Sequence, residues 1–191
     1  MSQARSFAER YLAELKSVLD ATPAEDVARF LDVLTRAHRE SSQVFIVGNG
    51  GSAATASHMA NDLVWGLARK GARPMHAIAL TDNVALMTAI ANDDGYGAMF
   101  VHQLEALGRR GDVLIAISGS GRSENVVRAI ERARAMGMVT IGILGMDGGP
   151  ARALVDVAVV VPSNDYGPIE DVHMALDHLA LAFLRSVIPH A

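Results

Sequence analysis

The N-terminal part of the chain has the pattern of two amphipathic helices. Between Phe7 and Leu19, apolar residues recur at helical spacing with charged residues between them. A second stripe runs from Val27 to Leu34 and follows Pro23, a residue that suits the first turn of a helix. The pattern predicts a helical hairpin within residues 1–41.

The remainder of the chain alternates short apolar runs with helical patterns. The runs lack the strict alternation of a half-exposed strand, so we expect a parallel sheet covered on both faces. The predicted strands are Val44–Val47, His76–Leu80, Val113–Ile117, Val139–Leu144 and Val157–Val161. The predicted helices are Ser52–Ala68, Asn83–Ala91, Ala98–Leu107, Ser123–Met136 and Pro168–Val187. This order predicts one α/β domain over residues 1–191, a three-layer αβα sandwich around a five-stranded, mostly parallel sheet, with 1–41 as a helical extension.

Composition limits the partners of this domain. The 191 residues are half hydrophobic, carry a formal net charge of −4 and include no cysteine. An acidic protein repels nucleic acid and anionic membranes, so we expect neither as a partner. The lack of thiols, of a signal-like segment and of an apolar stretch of membrane-spanning length favours the cytoplasm.

Two loops that follow predicted strands carry candidate binding groups. Gly48–Ser52 is rich in glycine, and Ser118–Ser123 contains three serines. In a parallel sheet both loops lie at the same edge, where helix N-termini and hydroxyl groups can hold a phosphate without a lysine. An ordinary strand-to-helix turn explains either loop alone, and neither matches the dinucleotide-binding fingerprint. Together they predict a shared phosphate site.

The helix after the first loop carries a histidine and a carboxylate on one face. His58 and Asp62 lie four residues apart, a spacing that allows both to bind one metal ion or one substrate. By itself such a pair is more often a surface histidine beside a carboxylate. On the same helix, Trp65 is predicted to pack in the core, with an interface as the alternative.

The last helix adds a second ionisable group. Asp171 and His178 share a face of this helix, and Glu170 lies at the edge of that face. His173 and Asp177, four residues apart on another flank, are predicted to form an exposed ion pair. Together with these residues of the last helix, His58 and Asp62 are better explained as half of an active site.

The segments GNGGS, ALTDN, AIANDDGYG and SGSGRSENV, with the histidine-bearing last helix, resemble the SIS (sugar isomerase) family, and specifically the phosphoheptose isomerases. The resemblance covers nearly the whole chain. It implies conversion of sedoheptulose 7-phosphate to D-glycero-D-manno-heptose 7-phosphate. It also implies a homotetramer whose active sites combine side chains of several subunits, and a bound zinc ion. The residues that it assigns to substrate binding are Asn49, Gly50, Gly51, Ser52, Asp82, Ser118, Ser120, Ser123 and Glu170.

The chain departs from the family pattern in three places. Asp62 stands where the family has glutamate, and Glu170 stands where it has glutamine, eight residues before the catalytic histidine, here His178. The serine loop reads Ser-Gly-Ser-Gly-Arg-Ser instead of the usual Ser-Thr-Ser-Gly-Asn-Ser. With these changes, His58, Asp62, Glu170 and His178 provide two imidazoles and two carboxylates, a ligand set that suits zinc.

The resemblance implies isomerisation through an enediol-type intermediate, with a proton moved between C1 and C2 of the sugar. Asp62 would be the base and His178 the acid. Two alternatives stay open: a non-catalytic SIS adaptor of the replication initiator or sugar-phosphate sensor, and an isomerase of a different phosphosugar. The ionisable side chains at Asp62, Glu170 and His178 favour an enzyme over an adaptor.

Overall fold

Five parallel strands form the centre of the molecule in a computed structural model, which describes residues 2–189. The strands are β1 (Gln43–Val47), β2 (His76–Ala79), β3 (Val113–Ser118), β4 (Val139–Gly145) and β5 (Val157–Val161). Their order across the sheet is β2-β1-β3-β4-β5, and every pairing is parallel. The predicted sheet is confirmed, and each strand end lies within one residue of its expected position.

The helices also follow the predicted order. They are α1 (Gln3–Ala21), α2 (Ala24–Glu40), α3 (Gly51–Asn61), α4 (Val84–Asp93), α5 (Val101–Leu107), α6 (Glu124–Ala135), α7 (Gly149–Leu154) and α8 (Tyr166–Val187). The sequence pattern does not predict α7, because its six residues are too few to show helical periodicity. The single helix expected over Ser52–Ala68 is α3 followed by a π-helical turn, Asp62–Gly66.

Apolar side chains cover both faces of the sheet. In β1, Val44 and Ile46 belong to one buried cluster, and Phe45 and Val47 belong to the other. Residues of α2, α3 and α8 complete the first cluster, and residues of α5, α6 and α7 complete the second. The strands therefore lie in the middle of three layers, which explains why their sequences are continuously apolar.

The N-terminal helices lie on the α8 side of the sandwich. α1 contacts α8, and the Tyr11 hydroxyl donates a hydrogen bond to Asp171 Oδ2 over 2.6 Å. This bond raises the pKa of Tyr11 to about 12. Asp171, one of the ionisable residues of the last helix, thus holds the N-terminal extension against α8.

The β2 edge of the molecule leaves apolar side chains exposed. α4 has an apolar sequence but no buried residue, and Val84 is 66% exposed. Trp65 is 61% exposed, so the prediction that it packs in the core is wrong. Leu63 and Leu67 are fully buried and occupy the inner side of this segment, so Trp65 between them faces outwards. Among residues 2–189, no helix combines the length and the hydrophobicity needed to cross a membrane.

Candidate active site

A cavity of about 140 Å³ lies where β1 and β3 end. β2 and β3 lie on opposite sides of β1, so the strand order reverses between β1 and β3. Ligands of parallel sheets usually bind at such a topological switch point. Both predicted loops reach this cavity, and α8 supplies another part of its wall. The polar residues around it are Asn49, Ser52, Ser118, Ser120, Ser123, Tyr166 and Glu170.

The glycine loop brings the main chain close to the cavity. Gly50 has a φ of +54° and a ψ of −122°, a conformation that strongly favours glycine. A side chain at Gly51 would collide with the Glu170 carboxylate, because a Cβ there would lie 2.3 Å from Glu170 Oε2. α3 begins at Gly51, and the first N–H groups of a helix have no acceptor within the helix. The Ala53 and Ala54 N–H groups donate to main-chain carbonyl groups, so the Gly51 and Ser52 N–H groups, with the buried Ser52 hydroxyl, provide the anion-binding donors at the cavity.

The serine loop is held by its own hydroxyl groups. Ser118 Oγ accepts from the Gly121 N–H over 3.1 Å, and Ser120 Oγ accepts from the Arg122 N–H over 3.3 Å. Both hydroxyl protons are then available for a ligand. Ser123 precedes α6 as its N-cap residue but makes no side-chain capping bond, so its hydroxyl is also available.

Arg122, the cation that the serine loop gains relative to the family pattern, forms an ion pair with Asp147. Arg122 Nη2 lies 2.6 Å from Asp147 Oδ2. The Gly149 N–H, together with Arg122, lowers the pKa of Asp147 below its usual range. Arg122 therefore links the serine loop to the loop after β4.

An amide pair that sequence reasoning missed supports Asn49. The side chains of Asn49 and Asn125 exchange two hydrogen bonds of 2.8 Å, and the Tyr96 hydroxyl donates to Asn49 Oδ1 over 2.9 Å. Asn125 is 1% exposed. Both Tyr96 and Asn125 lie in segments that carry the family resemblance, but the sequence gives no sign that they meet Asn49.

A second polar group forms where α3 and its π-helical extension meet α8. His58, Asp62, Asp177 and His178 each offer one donor atom, and these four atoms lie within 4.8 Å of one another. His58 Nδ1 lies 2.6 Å from Asp177 Oδ2. The rings of His58 and His178 meet edge to face, with centroids 5.2 Å apart. Two imidazoles and two carboxylates at this separation can bind a divalent cation or exchange protons with a substrate.

The carboxylates of this group are buried, whereas the histidines reach solvent. Burial raises the pKa of Asp177 to about 6, although the hydrogen bond from His58 opposes the shift. The negative charge of Asp62 adds to the increase. The buried side of the group is therefore rich in negative charge.

The structure brings together three of the four predicted metal ligands but not the fourth. Glu170 lies two turns before His178 on α8, and its carboxylate lies against Gly51 at the serine-lined cavity. Asp177 instead joins His58, Asp62 and His178.

The predicted exposed ion pair between His173 and Asp177 is wrong. His173 is 1% exposed and Asp177 is fully buried, because α8 packs against α3 on one side and against β4 on another. Neither ring nitrogen of His173 has a hydrogen-bond partner among the described residues. Burial lowers the pKa of His173 to about 4.

Asp82, another predicted substrate-binding residue, lies outside the wall of the serine-lined cavity. It is exposed and accepts a short hydrogen bond from Ser57 of α3. The loop after β2 is therefore tied to the outer side of the helix that carries His58.

The π-helical turn shapes the surroundings of Asp62, its first residue. Arg185 of α8 donates two hydrogen bonds to the Gly66 carbonyl oxygen, from Nε at 3.2 Å and from Nη2 at 2.6 Å. A Cβ added to Gly66 would lie 3.2 Å from Asp62 Oδ1. Such turns are rare and often occur at functional sites.

Comparisons with known proteins agree with this fold. The SIS domain family model matches residues 8–145. A phosphoheptose isomerase of Nitratiruptor sp. is 43% identical over 152 residues, which cover 80% of this chain and 81% of that protein. The structure of phosphoheptose isomerase GmhA from Neisseria gonorrhoeae has 34% identity and a TM-score of 0.83, covering 96% of this chain and 97% of that one. A phosphoheptose isomerase from Francisella tularensis has 28% identity and a TM-score of 0.87, covering 97% of this chain and all of that one (100%). The chain therefore belongs to the SIS domain family and groups there with the phosphoheptose isomerases.

Proposed function

We propose that this protein is an aldose–ketose isomerase that converts sedoheptulose 7-phosphate to D-glycero-D-manno-heptose 7-phosphate. One observation carries the proposal: α3 begins at the serine-lined cavity and leads to His58 and Asp62. A helix rises about 1.5 Å per residue, so His58 lies roughly 9 Å along the axis from Ser52, a distance that a heptose phosphate can bridge. The names of the relatives support the same activity.

The phosphate binds in the serine-lined cavity in this proposal. The N-termini of α3 and α6 and the hydroxyl groups of Ser118, Ser120 and Ser123 supply donors without a lysine. The Glu170 carboxylate would repel a phosphate, so we assign it to sugar hydroxyl groups at the side of the cavity. Asn49 is held in place for the same task by Asn125 and Tyr96.

The sugar head binds at the His58, Asp62 and His178 end. Asp62 removes a proton from C1 of the open-chain ketose while His178 protonates the C2 oxygen, which gives the enediol. His178 then accepts the C1 hydroxyl proton while Asp62 returns its proton to C2, which gives the aldose. Both residues thus begin and end the cycle in the same protonation state.

We further propose that His58, Asp62 and His178 can hold a zinc ion through one atom each, which leaves the second ring nitrogen of His178 and the second carboxylate oxygen of Asp62 for the proton transfers. Two imidazoles and a carboxylate match the ligand preference of zinc. Beside them, Oδ1 of the buried Asp177 has no hydrogen-bond partner within residues 2–189, so a positive ion there would offset its negative charge. A zinc ion bound there would polarise the substrate carbonyl and stabilise the negative charge that develops on its oxygen.

We also propose a homotetramer that acts in the cytoplasm. The exposed apolar surface of α4 and β2 supports association with further copies, since large exposed apolar patches mark interaction sites. Phe7 and Leu12, more than 60% exposed on α1, support a role of the N-terminal helices in the same assembly.

The activity is tested by supplying sedoheptulose 7-phosphate and zinc to the purified protein in deuterated water. We expect the aldose to appear in the NMR spectrum with deuterium at C2. If neither product nor deuterium exchange appears, the protein is not this isomerase. Capture of a replication initiator that is unaffected by Asp62→Ala would instead support the adaptor.

A further inference from the structure

Asp177 is a buried carboxylate that the isomerisation scheme does not use. It is fully buried, and its Oδ1 has no hydrogen-bond partner within residues 2–189. Burying a carboxylate with one unpaired oxygen costs stability, and apolar replacements of buried ionic groups are often neutral or stabilising. Stability therefore does not explain an aspartate at this position.

Within residues 2–189, the hydrogen-bond partner of Asp177 is His58. Asp177 Oδ2 lies 2.6 Å from His58 Nδ1, while the His58 side chain as a whole is 40% exposed. The two ring nitrogens therefore have different surroundings, because Nδ1 faces a buried carboxylate. A carboxylate accepts hydrogen bonds, so this contact favours the imidazole tautomer with its proton on Nδ1.

The other nearby carboxylates have different partners. Asp62 lies one turn beyond His58 on the same helical segment, and its Oδ1 accepts a hydrogen bond from Asn61 Nδ2 over 3.3 Å. Asp171 accepts from Tyr11, and Glu170 lies against Gly51. Asp177 is therefore the carboxylate placed to orient the His58 ring.

We propose that Asp177 is a positioning residue that fixes the His58 tautomer and directs the lone pair of Nε2 towards the active site. This inference rests on the proposed function only in taking His58 as a zinc ligand. A metal-binding histidine usually donates its second N–H to a carboxylate or carbonyl group, which raises the basicity of the ligating nitrogen. Loss of such a partner typically reduces metal affinity by about 10–100-fold.

The test compares Asp177→Leu and Asp177→Asn with the wild-type full-length protein, without sugar. Long-range ¹⁵N NMR of the zinc-free protein near pH 8 reports the His58 tautomer, and titration calorimetry reports zinc affinity. We expect a proton on Nδ1 in the wild type, its loss from Nδ1 in Asp177→Leu, and partial retention in Asp177→Asn, which keeps an acceptor oxygen. Zinc affinity should fall by about 10–100-fold in Asp177→Leu and less in Asp177→Asn.

Thermal melting separates a positioning role from a structural one. Asp177→Leu should melt at or above the wild-type temperature, because it removes a buried unpaired oxygen. Asp171→Asn, on the exposed part of the same helix, is the matched control and should leave zinc affinity and the His58 tautomer unchanged. If Asp177→Leu does not fold, Asp177→Asn still decides the matter through its zinc affinity. An unchanged tautomer with zinc affinity within twofold of wild type would overturn the proposal, whether or not the protein isomerises sugar.

Discussion

At the residue scale, Asp62 takes the place of a glutamate in the family pattern. Its carboxylate lies within 4.8 Å of donor atoms on His58 and His178, so the shorter side chain still reaches the acid–base group. Asp62→Asn keeps the size but removes the base. We expect kcat to fall by about 10²–10⁴-fold, the usual contribution of a general base.

Kinetics at saturating zinc, together with the zinc content of the variant, check this prediction. Asp171→Asn is the control and should retain wild-type kcat. An Asp62→Asn variant with wild-type kcat and wild-type zinc content would exclude Asp62 as the base.

A second prediction at this scale concerns how His173 makes the free energy of unfolding depend on pH. Burial lowers its pKa to about 4 in the folded state, whereas a histidine in the unfolded chain titrates near 6.5. Between these values the unfolded state binds more protons, so the folded protein loses stability as the pH falls. The loss attributable to His173 should reach about 3 kcal/mol near pH 4.

Urea unfolding of the zinc-free protein between pH 7.5 and pH 4.5 measures this effect. His173→Leu should lose less unfolding free energy over this range than the wild type. Replacing the exposed His76 with glutamine should leave the wild-type pH profile unchanged. Parallel profiles for the wild type and His173→Leu would contradict the prediction.

At the scale of elements, the π-helical turn links the position of Asp62 to α8. A Cβ at Gly66 would lie 3.1 Å from both Leu181 methyl carbons and 3.2 Å from Asp62 Oδ1, so Gly66→Ala should displace the carboxylate by a few tenths of an ångström. Misplacement by about 1 Å can cost roughly 10²-fold in rate, so we expect a decrease in kcat of about tenfold. Alanine favours helical backbone over glycine, so thermal stability should not fall in parallel.

Steady-state kinetics and thermal melting of Gly66→Ala test this link. Unchanged kcat would show that the turn does not control the position of the Asp62 carboxylate. If both kcat and the melting temperature fell, the substitution would have destabilised the fold instead of moving Asp62 alone.

Apart from α7 and the π-helical turn, the strands and helices are predictable from the sequence, but not all of the contacts among them are. Continuous apolar runs indicated covered strands, and the parallel sheet then placed the glycine and serine loops at one edge. The spacing of His58 and Asp62 also indicated one helix face. Periodicity does not show that α8 has neighbours on two sides, so the pattern predicts an exposed Asp177 where the structure buries it. The contact of Asn125 with Asn49 joins residues 76 positions apart, a separation that no local pattern reports.

At the scale of the whole molecule, the exposed apolar surface near the β2 edge predicts self-association. Leu86 of α4 is 40% exposed and lines a groove with Ile78 of β2. Leu86→Asp would place a charge in the apolar surface that we propose as an interface, so we expect it to reduce the mass of the proposed tetramer and to lower activity. Light scattering after size exclusion measures the mass.

Glu131→Lys, an exposed change on α6, is the control and should leave the mass unchanged. A monomeric wild-type protein, or a Leu86→Asp variant with the wild-type mass, would show that this surface does not form the assembly.

In the function proposed above, the serine-lined cavity and the His58, Asp62 and His178 group are two ends of one sugar-phosphate site. A crystal structure with zinc and sedoheptulose 7-phosphate, with anomalous data at the zinc edge, tests it most directly. We expect phosphate density beside Ser118, Ser120 and Ser123 and an anomalous peak between His58 and His178, with C1 and C2 of the sugar within reach of Asp62. A phosphate bound elsewhere, or a zinc peak away from the two histidines, would contradict it.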